Sequence, residues 1–79
     1  MSSEVLLYDL ACEVVDNLED ALAEVKEVSG LAWRKRGPHG SLLTDEDKNT
    51  VRKASHDVVL MLRAASVMAE ALKEQANKL

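Results

Sequence analysis

The side chains of this chain that could act as nucleophiles, bases or metal ligands are few and widely spaced. Cys12 is the single cysteine, so no intramolecular disulfide can form. Its neighbours Glu13 and Asp16 disfavour a thiolate, which predicts a small packing residue rather than a nucleophile. Carboxylate metal sites in helical bundles typically use Glu-x-x-His pairs, and neither His39 nor His56 follows a glutamate at that spacing. We therefore expect a non-enzymatic protein without a metal or cofactor.

The acidic residues are concentrated in the first part of the chain. Residues 1–30 contain eight Asp or Glu side chains and one lysine, although the whole chain carries a net charge of only −4. Residues 51–79 carry more bases than acids, so the two parts should attract each other when they lie side by side. Four of the acids, Asp9, Glu13, Asp16 and Asp20, recur at helical spacings of three and four. We expect this row to be a solvated helix face.

The most distinctive short segment runs from residue 33 to residue 40 and places three adjacent bases beside the only tryptophan. Its candidate partner-binding residues are Trp33, Arg34, Lys35, Arg36 and His39. One interpretation is structural: Trp33 closes the open end of the hydrophobic core together with Leu31, Leu42 and Leu43, and the bases are solvated. A second is protein recognition, because Trp and Arg dominate interface hot spots. A third is nucleic-acid binding, in which the bases contact phosphates and the indole ring stacks.

Glycine and proline divide the chain into two helical parts. Residues 3–29 contain neither, and Gly30 stands where a left-handed residue commonly ends a helix. Residues 30–43 hold all three glycines and the only proline, which predicts a loop. Thr44 followed by three acids predicts an N-cap and a second helix over residues 44–78. We therefore predict an all-α fold, an antiparallel two-helix hairpin that forms a single domain over residues 1–79.

Each predicted helix carries an apolar stripe with alternating spacings of three and four, the pattern of a helix that packs along another helix. The stripe of the first helix comprises Leu7, Ala11, Val14, Leu18, Ala21, Val25 and Val28. The stripe of the second comprises Val51, Ala54, Val58, Met61, Ala65, Met68 and Leu72. Because the second predicted helix is the longer one, residues 73–79 are expected to project beyond the first.

Both helices carry more apolar residues than a two-helix hairpin can bury. The surplus, which we predict to form a dimer interface, comprises Tyr8, Val15, Leu22, Val59, Leu60 and Val67. Leaving six such side chains in water would forgo on the order of 10 kcal/mol of burial free energy. A chain of 79 residues with neither a disulfide nor a zinc site also has few other sources of stability. We therefore expect a homodimeric four-helix bundle, with scattered surface hydrophobics as the alternative.

These features predict a function based on binding rather than catalysis. We expect a small homodimeric helical regulator or accessory protein that binds another protein and modulates its activity. The alternative is a nucleic-acid-binding dimer that uses the basic segment 33–40. The N-terminus lacks the basic and apolar regions of a signal peptide, and no apolar run is long enough to span a membrane. We therefore expect a cytoplasmic protein.

Overall fold

The computed structural model describes residues 3–35 and 43–79, and within them the side chains of residues 4–33 and 43–79. In these ranges the chain forms two helices, α1 (Ser3–Lys35) and α2 (Asp45–Ala76), and no strand. The two helices pack against each other. The predicted all-α class and the helical hairpin are therefore confirmed.

Helix α1 is longer than the sequence pattern predicts. It continues through Gly30 to Lys35, so the predicted helix end at residue 29 and the loop start at residue 30 are wrong. Glycine in a helix interior costs only about 1 kcal/mol relative to alanine, and most of the residues that follow are good helix formers. A Cβ atom placed on Gly30 would meet nothing within 4 Å, so no close approach requires glycine there. Trp33 consequently lies in the last turns of α1 rather than in a loop.

Helix α2 begins at the predicted N-cap. Thr44 has an extended backbone, and its hydroxyl oxygen accepts a hydrogen bond from the backbone N–H of Asp47 at 3.1 Å. The Asp47 carboxylate in turn accepts a hydrogen bond from the backbone N–H of Thr44 at 3.1 Å. These reciprocal bonds form a capping box, which satisfies backbone donors that have no intrahelical acceptor at a helix start. Asp45 and Glu46 add negative charge beside the positive end of the helix dipole.

The two helices are antiparallel. Lys35 and Asp45 are ten residues apart in sequence, a stretch that reaches at most about 36 Å. Each helix is about 50 Å long, so the connection is too short to return along α1 and start a parallel helix. The overall dimensions of 58 × 17 × 16 Å fit two such helices lying side by side.

The helices are also nearly equal in length, with 33 residues in α1 and 32 in α2. Because α1 extends to Lys35 at the loop end, its alignment along α2 shifts, and its first turn lies beside the last turns of α2. Leu72 and Gln75 in those turns are half-buried. Helix α2 ends at Ala76, and the backbone N–H of Asn77 donates to the carbonyl of Lys73 at 3.0 Å. The expectation that residues 73–79 project well beyond α1 is therefore wrong, because it depended on the shorter α1.

The contact stripe of α2 is the predicted one, since all seven of its members are buried or half-buried. In α1 the predicted members Leu7, Val14, Ala21 and Val28 also face α2. The positions between them, however, are taken by Leu10, Asn17, Glu24 and Leu31, which are all half-buried. Leu18 and Val25 are each 46% exposed, so their assignment to the core is wrong.

The contact between the helices is built on small side chains. Ala21, Ala54 and Ala65 are the buried apolar residues, with exposures of 3–5%, and no large side chain among the described residues is fully buried. Small residues at a contact let helix axes approach closely. Asn17 can lie beside this contact because its Nδ2 atom donates to the Glu13 carbonyl oxygen at 3.0 Å. The hairpin therefore has a thin core, and twelve large apolar side chains stay at least 44% exposed.

Candidate interaction surface

The basic segment begins on α1 at the loop end of the hairpin. Trp33 is 65% exposed, whereas Leu31 and Leu43 nearby are half-buried. The part of the structural interpretation that places Trp33 over the end of the core is therefore wrong. Leu31 and Leu43 are half-buried, as that interpretation requires, and Leu42 lies outside the described residues. Arg34 and Lys35 belong to the last turn of α1. The other two candidates, at positions 36 and 39, lie outside the described residues.

All six residues predicted to form a dimer interface are exposed. On α1 the exposed fractions are 70% for Tyr8, 49% for Val15 and 52% for Leu22. On α2 they are 44% for Val59, 49% for Leu60 and 64% for Val67. Three further large apolar side chains near the middle of the helices, Leu18, Val25 and Leu62, are exposed by 46–47%. The hairpin alone thus leaves a substantial apolar surface in contact with solvent.

The position of each residue around its helix assigns these side chains to two flanks of the hairpin. Successive helical residues are about 100° apart, so the residue just after a contact residue and the one just before it lie on opposite sides. In two antiparallel helices, the residues that follow contact residues emerge on the same side of the pair. Residues that precede contact residues emerge together on the other side.

A cleft between the helices confirms this geometry. It has a volume of about 260 Å³ and is lined by Glu24, Glu27, Thr50, Lys53, Ala54 and Asp57. Glu24 and Ala54 belong to the contact stripes. The other four lining residues all precede a contact residue in sequence. They share one side of the hairpin, as the helical geometry requires.

The flank that faces away from this cleft is apolar over most of its length. It consists of Tyr8, Ala11, Val15, Leu18, Leu22 and Val25 of α1 with Ser55, Val59, Leu62, Ser66 and Ala69 of α2, all of which follow a contact residue. None of these side chains is charged at neutral pH. We call this surface the apolar flank. Within it the structure brings together four of the six predicted interface residues.

The opposite surface, which we call the acidic flank, carries Asp9, Glu13, Asp16, Asp20 and Glu27 of α1, all preceding or lying beside contact residues. The first four acids are exposed, which confirms the predicted solvated face. Leu60 and Val67 of α2 also lie on this flank, because they precede the contact residues Met61 and Met68. The six residues predicted as one interface are therefore divided between two surfaces.

The two described residues considered as a nucleophile or a metal ligand, Cys12 and His56, lie on different helices. His56 is exposed on α2, and Cys12 is half-buried on α1. The pKa of Tyr8 lies above its ordinary value of 10.0, chiefly because the neighbouring Cys12 side chain can accept a hydrogen bond from the phenol. The charge of Cys12, partial desolvation and the charge of Asp9 act in the same direction. Within the described ranges no three His, Cys, Asp or Glu side chains are grouped as metal ligands would be.

Neither helix, over the part of the chain that the structure describes, combines the length and apolar character needed to cross a membrane.

Comparison of the chain with protein-family models, with curated protein sequences and with solved structures finds no match.

Proposed function

We propose that this chain is a non-enzymatic protein–protein interaction module that works in the cytosol as a homodimeric four-helix bundle and binds and modulates another protein. The observation that carries this proposal is the exposed apolar surface of the hairpin. Twelve large apolar side chains are at least 44% exposed, while the only buried apolar residues described are alanines. Seven of these side chains, Tyr8, Val15, Leu18, Leu22, Val25, Val59 and Leu62, lie together on the apolar flank. A contiguous exposed apolar surface is typical of a protein that buries it against another chain.

The overall dimensions of the chain support the same proposal. Its accessible surface is 6101 Å². A compact monomer of 8.7 kDa would expose about 4,700 Å², so the hairpin exposes about 1,400 Å² more. Its radius of gyration is 17.7 Å, against about 12 Å for a compact domain of this length. An isolated hairpin is therefore an extended object with little interior of its own.

The cleft between the helices that Glu24 and Lys53 line suits ligand chemistry poorly. Its volume of about 260 Å³ lies below the range of about 300–1,000 Å³ that is usual for small-molecule pockets. Its charged lining consists of three carboxylates and one lysine on facing helices, with neither histidine nor cysteine.

Nucleic-acid binding is a second candidate, and one observation favours it. Trp33 is 65% exposed and is followed by Arg34 and Lys35 at the end of α1, so the indole ring and basic residues share one end of the hairpin. A protein that holds nucleic acid through such contacts loses affinity steeply as salt concentration rises.

Light scattering at micromolar concentration tests the proposed assembly, with an expected mass of twice the chain mass of 8.7 kDa. A folded monomer at these concentrations would contradict the homodimer. Affinity capture from the native host, followed by mass spectrometry, then tests for a protein partner. A parallel nucleic-acid column separates the two candidates, because retention that disappears with modest salt would favour the second.

A further inference from the structure

We infer that the second copy of this chain docks on the apolar flank alone, so that the dimer encloses Leu18, Leu22, Val59 and Leu62 while Leu60 and Val67 stay outside it. This inference rests on the homodimer proposed above and names its surface. It replaces the interface expected from the sequence, which combined residues of both flanks.

The first argument is the position of the apolar residues along the hairpin. The cleft brings Glu24 and Glu27 of α1 beside residues 50–57 of α2, and this antiparallel register places Leu22 within about one turn of Val59. Leu18 and Leu62 occupy the next turn. These residues lie near the middle of both helices, so a twofold axis through the middle brings the same patch of each copy together. A self-complementary patch of this kind is what a twofold dimer requires.

The second argument is the charge of the two flanks. The apolar flank presents only uncharged side chains between residues 8 and 25 of α1 and between residues 55 and 69 of α2. A second copy placed on the acidic flank would instead bury the carboxylates of Asp9, Glu13, Asp16 and Asp20. Lys53 is the only base among the α2 residues that precede contact residues there. Buried charges without partners strongly oppose association, so the acidic flank is disfavoured.

The third argument is the area that a stable dimer needs. A standard protein–protein interface buries about 800 Å² on each partner. The hairpin exposes about 1,400 Å² more than a compact monomer of its mass, which exceeds the area that one partner buries in such an interface. A second copy on the apolar flank would therefore bury surface that a compact monomer of this mass does not expose.

Two matched variants test the choice of flank. Leu22 and Leu60 are the same residue type, lie in helix interiors and are 52% and 49% exposed. Leu22→Glu should raise the dissociation constant of the dimer at least about a hundredfold, because a twofold interface contains each substitution twice. Leu60→Glu should change it by less than about threefold. Sedimentation equilibrium measures both constants, and far-ultraviolet circular dichroism reports whether each variant stays helical.

A second measurement covers the case in which Leu22→Glu fails to fold. In a Cys12→Ser background, Leu22→Cys and Leu60→Cys each place a single thiol on one flank. The thiol at position 22 should be protected from alkylation in the dimer, and the one at position 60 should react at the rate of an exposed thiol.

The outcomes separate this inference from the proposed function. A wild-type chain that is a folded monomer would overturn both, and would leave the apolar flank to a different protein. A wild-type dimer that Leu60→Glu dissociates, or in which the thiol at position 60 is the protected one, would overturn the inference while the homodimer stands. Protection at position 22 alone would support both.

Discussion

Thr44 and Asp47 hold the start of α2 by exchanging hydrogen bonds, since each side chain accepts from the other residue's backbone N–H at 3.1 Å. The two residues are three positions apart, which is the spacing of a capping box. The pair marks where α2 begins. Removing the Thr44 hydroxyl group tests how much this capping box contributes to the free energy of unfolding.

Thr44→Ala should lower the free energy of unfolding by about 1 kcal/mol, because the backbone N–H of Asp47 loses its acceptor. Urea denaturation at a single protein concentration measures the change. Thr44→Ser is the matched control, since it keeps the hydroxyl oxygen and should lose much less. An equal loss in both variants would show that the methyl group of Thr44, not its hydroxyl, supports the helix start.

Gly30→Ala should raise the free energy of unfolding by up to about 1 kcal/mol, since Gly30 lies inside α1 and a Cβ there meets no atom within 4 Å. Gly30→Pro is the opposite test. Proline in a helix interior removes a backbone hydrogen bond and should cost about 3 kcal/mol. Thermal denaturation of the two variants should give shifts of opposite sign. A Gly30→Pro variant as stable as the wild type would mean that α1 ends before this residue.

Ala21→Leu should destabilise the hairpin by about 1–3 kcal/mol, because Ala21 is 4% exposed and a larger side chain would push the helices apart. Ala23→Leu is the control on the same helix. Ala23 is exposed on the acidic flank, and its replacement should change stability by less than about 0.5 kcal/mol. Denaturant unfolding compares the two, and similar losses would argue against a close contact at Ala21.

Cys12→Ala should lower the pKa of Tyr8 towards its ordinary value, because interaction of the phenol with the Cys12 side chain is the main cause of the raised pKa. Tyr8 is the only tyrosine, so phenolate absorbance reports it alone. The folded phenol holds its proton more tightly than the unfolded one. This contribution to stability is therefore fully present below the unfolded pKa of 10.0 and is lost as pH rises through the folded pKa. An unchanged pKa in Cys12→Ala would contradict the assigned cause.

Much of the fold follows from local signals in the sequence. The N-cap at Thr44, the first-turn acids and the regular stripe from Val51 to Leu72 predicted α2 and the face it buries. These signals are reliable because capping and helical periodicity depend on residues within a turn or two of each other. Gly30 is the counterexample. A glycine after a long helical run resembles a helix end, but the residues beyond it also favour helix, and the run continues to Lys35.

Which residues form the apolar flank, the surface on which function is proposed, depends on the tertiary structure. On α1 the row that contains Leu18 and Val25 and the row that contains Asn17 and Glu24 both lie beside Ala21, about 100° apart. The sequence by itself favours burial of the more apolar row. In the hairpin the more polar row faces α2, and the apolar row joins Val59 on one flank. The periodicity of one helix determines which rows exist, but which row is buried depends on the position of the helix it meets.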